Sequence, residues 1–181
     1  MVDNKEESKL YLRRCNRTKY VIPLNVINNI KNEIQIKEES VNYNDLSRRV
    51  KSFIDNIDIF YYNTVKDNII YNNFKSIHIA NLIYKNQQTI KTNDYSRTYS
   101  NSKHLTSIHA EHSVILTCCK LNLLTDKQCN STLCVVRYNR KGVRCNSKPC
   151  GHCITQIKLN NVKTIIYSVD ENIFNICKII N

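Results

Sequence analysis

The sequence has no tryptophan, a single methionine, two glycines (Gly142 and Gly151) and two prolines (Pro23 and Pro149) in 181 residues. That scarcity excludes flexible Gly/Ser linkers, Pro-rich spacers and low-complexity tracts, and no internal repeat is visible. Long apolar runs are missing too. No run reaches the roughly 18 residues needed to span a bilayer, and no basic start leads into an apolar stretch with a small-residue cleavage site. The expectation is a soluble, cytoplasmic chain with no membrane partner. Acidic residues are few, 15 against 27 Lys and Arg, giving a formal net charge of +12. Between residues 95 and 169 the imbalance sharpens to eleven Lys or Arg against two acids, Glu111 and Asp126. Such a surface attracts anions, whether nucleotide phosphate, nucleic acid or an acidic partner; a solvated basic face is the plain alternative.

The residues that are abundant point to a folded core. Hydrophobic residues make up 41%, dominated by Ile, Val, Leu and Tyr, which suit strands and the helices that cover them. A chain of this length is most simply one domain with an extension, because two separate cores would each be marginal. Richness in Asn, Ile, Lys and Tyr points to an AT-rich genome, such as that of a large virus or a protozoan. Nine cysteines, an odd number with no export signal, argue for reduced thiols, some of which hold metal, and against a disulfide framework.

Along the chain, residues 1–45 read as a mostly helical basic extension. "PLNVINNIKNEIQI" carries weak helical periodicity after Pro23, and "KEESVNYND" reads as a polar connector. Residues 46–181 form the second unit. Leu46, Val50, Phe53, Ile54 and Ile57 recur at helical spacing behind Asn44 or Asp45 as cap. "SIHIANLIYK" and "QTIKTND" read as a hairpin turning at Asn86–Gln87. "HSVILTCCKLNLL" is then helical in pattern, "STLCVVRY" a buried strand, "CITQIKLNN" a short helix and "KTIIYSV" another strand. Helix, strand, helix, strand with short links implies an α/β sandwich with parallel pairing among the later strands.

One of the two glycines and one of the two prolines fall inside "SKPCGHC". Pro149 suits a first helical turn, which would set Cys150 and Cys153 on one face where two thiolates can meet one metal ion. Gly151 would allow close approach of backbone or substrate. A lone Cys-x-x-Cys is open to other readings, a redox pair or a structural metal site with Cys145 or His152 as fourth ligand. Upstream, in "SIHAEHSVI", His109 and Glu111 are two residues apart and can face one site only at a helix N-terminus. The apolar run beginning at Val114 fits that placement. His109, Cys150 and Cys153 then make three ligands with a fourth position open, the catalytic zinc arrangement. Cys118, Cys119, Cys134 and Cys177 lie in apolar segments and read as core residues, whereas Cys15, Cys129 and Cys145 have no assignment. His112 reads as a helix-face residue, His104 as a loop residue within reach of a ligand, and Arg137, Arg140, Lys141 and Arg144 as cations able to overhang the site.

His-Ala-Glu followed by Pro-Cys-x-x-Cys is the signature of zinc nucleobase deaminases. On these motifs, residues 74–170 resemble the cytidine deaminase-like superfamily, which includes nucleoside and deoxycytidylate deaminases, tRNA adenosine deaminases and polynucleotide-editing cytidine deaminases. The resemblance implies a three-layer α/β/α fold, one zinc held by His109, Cys150 and Cys153, and hydrolytic deamination of cytosine in a nucleotide or nucleoside (CMP or dCMP type). Water activated by the metal would add at the amine-bearing carbon, with Glu111 shuttling the proton. Asn93 matches the family's substrate-contacting Asn, and Ala110, Arg144 and Lys148 are candidate substrate contacts. A homo-oligomer is implied as well. The alternatives are a polynucleotide deaminase using residues 95–169 as a backbone track, and a zinc-containing binding or structural protein of the same fold without turnover. "HAE" resembles the deoxycytidylate and tRNA branches, whereas "SKPCGHC" is more similar to the free-nucleoside branch, whose second motif usually continues Arg-Gln where this chain has Ile154-Thr155.

Overall fold

A computed structural model describes residues 11–13, 19–21, 35–68, 76–85, 87–93, 108–121, 124 and 130–180. At its centre is β6 (Thr132–Asn139), whose residues are apolar on both faces because helices cover both. On one side β6 pairs antiparallel with β4 (Ser76–Tyr84), which pairs with β5 (Gln87–Thr92). On the other it pairs in parallel with β8 (Thr164–Ser168), as expected of the later strands. Beyond β8 come β9 (Ile173–Ile180) and then β3 (Gln35–Asn42), both antiparallel to their neighbours. A two-residue strand, β7 (Arg144–Cys145), returns along the end of β6. The mixed sheet has seven strands, in the order β3-β9-β8-β6-β4-β5 with β7 set against β6.

Alternation along the strands sorts the core into two layers. Ile77, Ile79 and Ile83 of β4, Cys134, Val136 and Tyr138 of β6, Ile166 of β8 and Phe174 of β9 pack under α1 (Arg48–Phe60) through Phe53, Ile54 and Ile57. Ala80, Leu82, Leu133, Val135, Ile165, Tyr167 and Ile179 face the other way. They meet α2 (Ala110–Lys120) and α3 (Gly151–Leu159) through Ala110, Val114, Ile115, Cys118 and Ile157. The architecture is α/β, with one α-helix on one face of the sheet and two on the other among the described residues. Cys118, Cys134 and Cys177 are buried as the sequence implies, but Cys119 is half-buried and donates to Asn160 Oδ1 at 3.2 Å. No helix among the described residues is long and apolar enough to cross a membrane.

Several expectations need correction. Residues 35–42, read as the end of a helix and a polar connector, form an edge strand, so the sheet begins at Gln35, inside the segment assigned to the extension. Lys37 to Ser40 are exposed, since an edge strand with little covering it needs no apolar alternation, and its sequence therefore resembles a loop. The described parts of the extension are strand and 3-10 turn; β1 (Tyr11–Arg13) and β2 (Lys19–Val21) pair antiparallel, and the helix expected after Pro23 falls within 22–34, outside the described residues. The cap of α1 is Ser47, whose Oγ accepts from Val50 N at 3.4 Å, while Asn44 and Asp45 lie in the preceding 3-10 turn. In the β4–β5 hairpin Gln87, expected in the turn, already pairs with Tyr84, and Lys85 stands at φ 54°. β9 was not expected as a strand; its turn is set by Asp170, whose Oδ1 accepts from Asn172 N and Ile173 N at 2.8 Å each.

Arg144 belongs to the α1 face. Its guanidinium forms an ion pair with Asp58, and Asp58 also accepts from the Tyr138 hydroxyl. It lies 5.3 Å from the Tyr43 ring centroid and 5.5 Å from that of Phe174, and donates to Glu171 O at 3.1 Å. The tight β6–β7 turn that delivers it needs Gly142, whose φ of 78° disfavours any side chain. Arg144→Ala leaves the half-buried Asp58 carboxylate and the Tyr138 hydroxyl without their cation. We expect a loss of about 2–4 kcal/mol in urea unfolding, with Arg144→Lys recovering only part because an ammonium cannot reproduce the planar fork. An unchanged midpoint for Arg144→Ala would mean the network contributes nothing.

Candidate metal centre

Two helix starts meet on the α2/α3 face. His109 is the N-cap of α2, with extended backbone (φ −63°, ψ 150°), and its carbonyl accepts from Ser113 N at 2.9 Å. Cys150 caps α3 in the same way (φ −70°, ψ 165°), accepting from Ile154 N at 2.9 Å. Neither side chain is used to cap its own helix, which leaves both free for another partner. Pro149 therefore precedes the cap and is not in the first helical turn as the sequence reading had it. A Cβ on Gly151 would meet nothing within 4 Å, so the protein's own packing does not demand glycine there.

The loop leading to Cys150 is fixed by a pair of buried serines. Ser147 Oγ donates to Val135 O at 2.8 Å and accepts from Ser168 N at 3.0 Å, and Ser147 N donates to Ser168 O at 2.9 Å. Ser168 Oγ in turn donates to Cys145 O at 2.7 Å. These bonds fasten the loop before Cys150 to the middle of β6 and the C-terminal end of β8. Sequence reasoning missed both serines, because Ser at a strand end is common and nothing in its neighbours distinguishes one that binds a distant loop.

The three donor atoms converge. His109 Nδ1 is 3.3 Å from Cys153 Sγ and 3.6 Å from Cys150 Sγ, and all three lie within 4.8 Å of one another, close enough to hold one metal ion. Cys153 is fully buried, while His109 and Cys150 are exposed, so the group is walled by protein on one side only. Burial pushes the Cys153 thiol up, with the neighbouring Glu111 carboxylate adding to it. A cation would reverse that cost, as would the partial positive charge of the two helix N-termini.

Glu111, in the first turn of α2, is 2% exposed, and its Oε2 has no hydrogen-bond partner. Burial raises its pKa, opposed in part by its own backbone N–H and by the nearby His109. A buried carboxylate with one oxygen left unpartnered beside a candidate metal centre is costly unless something arrives to use it. It is the group best placed to exchange a proton with a bound molecule.

The remaining candidates have contacts of their own. Ala110 is buried at the start of α2 as part of the core. Asn93 follows β5, and its Oδ1 accepts from His78 N at 2.8 Å, tying the hairpin end to β4. Arg144 is not brought to the centre, for it is held on the opposite face of the sheet by Asp58. Lys148 is 63% exposed and bridges to Glu38 Oε2 at 3.4 Å. Cys145 donates to Arg137 O at 3.6 Å, and His152 lies edge-on to His112 with centroids 5.7 Å apart, so neither joins the three donors as a fourth ligand. Burial holds His112 neutral, its pKa down at about 4. His104, Cys15, Cys129, Arg97, Lys103 and Lys127 lie outside the described residues. No protein-family model matches the chain, and no curated protein or solved structure does either.

Proposed function

We propose that this chain is a zinc-dependent hydrolytic deaminase of cytosine in a nucleotide or nucleoside. The observation that carries this reading is the buried Glu111 carboxylate, with one oxygen unpartnered, beside three atoms able to ligate a metal at two converging helix N-termini. The donor set suits zinc: a tetrahedral ion with bonds of about 2.1 Å to nitrogen and 2.3 Å to sulfur spaces N and S about 3.6 Å apart. The Nδ1–Sγ distances are 3.3 and 3.6 Å. One nitrogen and two sulfurs leave a tetrahedral position open, whereas a closed structural site takes four protein ligands. The α/β layering, with helices on both faces of a mixed sheet, supports the reading without going beyond the fold class.

When bound, zinc would supply Lewis acidity that makes water a nucleophile near neutral pH. His109, Cys150 and Cys153 would hold the ion, and the helix N-termini would favour the two thiolates. Glu111 takes a proton from water, gives it to the ring nitrogen of the base, and assists its transfer to the departing amine, so that water and the aminopyrimidine become the oxo base and ammonia. Shielding from solvent keeps the carboxyl available as both base and acid, a contribution of about 10²–10⁴-fold. A zinc protein without turnover has no use for Glu111. A polynucleotide track needs a row of free cations, and two of those flanking the Pro149 turn, Arg144 and Lys148, are paired within the fold. Assembly into a homo-oligomer is proposed on the resemblance alone.

The test is ammonia release by the zinc-loaded chain from cytidine, deoxycytidine, CMP, dCMP, adenosine and a short single-stranded oligonucleotide. We expect turnover on a cytosine-bearing monomer and its loss after chelation. Release from the oligonucleotide alone would favour the polynucleotide reading.

A further inference from the structure

Next to the metal centre, a second polar group occupies the same face of the sheet. His78 of β4 and Arg137 of β6 are directly opposed in register. By strand alternation both share a face with Ala80, Leu82, Leu133 and Val135, the layer under α2 and α3. His78 turns its backbone N–H and C=O toward Asn93, at 2.8 and 3.2 Å, and so away from β6. The pair is therefore of the non-hydrogen-bonded kind, in which opposed side chains stand closest. Arg137 donates from one terminal nitrogen to Asn146 O at 3.4 Å, yet its Nε is buried with no partner. Among the described residues no acid pairs with this guanidinium. The pair also reaches the loop that carries the metal centre, because Asn146, whose carbonyl accepts from Arg137, lies four residues before Cys150.

A guanidinium with a buried, unused N–H and no counter-charge is a costly arrangement that an arriving anion relieves. Building on the deaminase reading of the neighbouring centre, we propose that Arg137, with His78 beside it, forms a subsite for the phosphate of the substrate, which is a mononucleotide and not a neutral nucleoside. A single half-buried guanidinium between two strands suits one terminal phosphate. A backbone track would call on the flanking cations, of which Arg144 and Lys148 are engaged by Asp58 and Glu38.

The experiment compares kcat/KM for CMP, cytidine and a short oligonucleotide in the zinc-loaded chain, in Arg137→Gln, which keeps a polar stem without the charge, and in Arg137→Lys. Calorimetry of inorganic phosphate binding to the same three proteins runs alongside. The wild type is expected to prefer CMP, Arg137→Gln to cut the CMP-over-cytidine ratio about 10- to 100-fold, and Arg137→Lys to restore part of it. Phosphate affinity should fall in parallel. An unaltered ratio in Arg137→Gln, equal use of CMP and cytidine by the wild type, or preference for the oligonucleotide overturns the assignment while leaving the deaminase intact. If no base is turned over, the deaminase reading fails and phosphate binding decides alone. Arg137-dependent binding then sustains the subsite, and undiminished binding in Arg137→Gln removes it.

Discussion

Glu111→Gln is expected to lower turnover by at least about 10²-fold while the chain keeps its metal. Gln has the same shape but cannot accept the proton, so the loss falls on kcat with little change in zinc content. The same substitution should leave thermal stability of the metal-free protein at or above the wild-type value. The carboxylate is 2% exposed with Oε2 unpartnered, and a neutral amide is less costly to bury than an unpaired charge. Lost activity joined to undiminished stability is the pattern of a group retained for chemistry at the expense of folding. If Glu111→Gln instead unfolded the protein, the carboxylate would be structural.

The second large effect concerns the metal. Removing one of three donors should weaken zinc binding by more than the roughly 100-fold typical of losing an outer-shell partner. Cys150→Ala and Cys153→Ala should differ in what else they do. Cys150 is exposed, so its loss should cost metal and little besides; Cys153 is buried, and its removal also leaves a small void. Zinc at about 100 times its Kd stabilises the wild type by about 2.7 kcal/mol, and neither variant should show that gain. Thermal melts with and without zinc, with metal content measured by mass spectrometry, read both quantities. Equal zinc-dependent stabilisation in Cys150→Ala and the wild type would place the ion elsewhere.

How much of this was legible in the sequence depended on whether a residue's role is local. The placement of His109, Glu111, Cys150 and Cys153 could be read because short spacing beside a following apolar or helical run marks a helix start, and both helices begin at those residues. The central strands were legible because burial on both faces leaves continuous apolar runs such as "LCVV". β3 was not, since an edge strand owes its place to hydrogen bonds with β9, which is remote in sequence, and "KEES" carries no pattern. Arg144 was misplaced for a related reason: its distance from the Pro-Cys turn along the chain is short, but β7 aims it through the sheet edge toward Asp58. His78 and Arg137 could be paired only once strand register was known.

The most direct test of the central claim is ammonia release from a cytosine nucleotide by the zinc-loaded chain, measured beside Glu111→Gln carrying the same zinc. The account predicts ammonia and the oxo base in equal amounts from the wild type and at least about 100-fold less from the variant. Equal rates from the two proteins, or no ammonia from a wild type holding one zinc per chain, would contradict it.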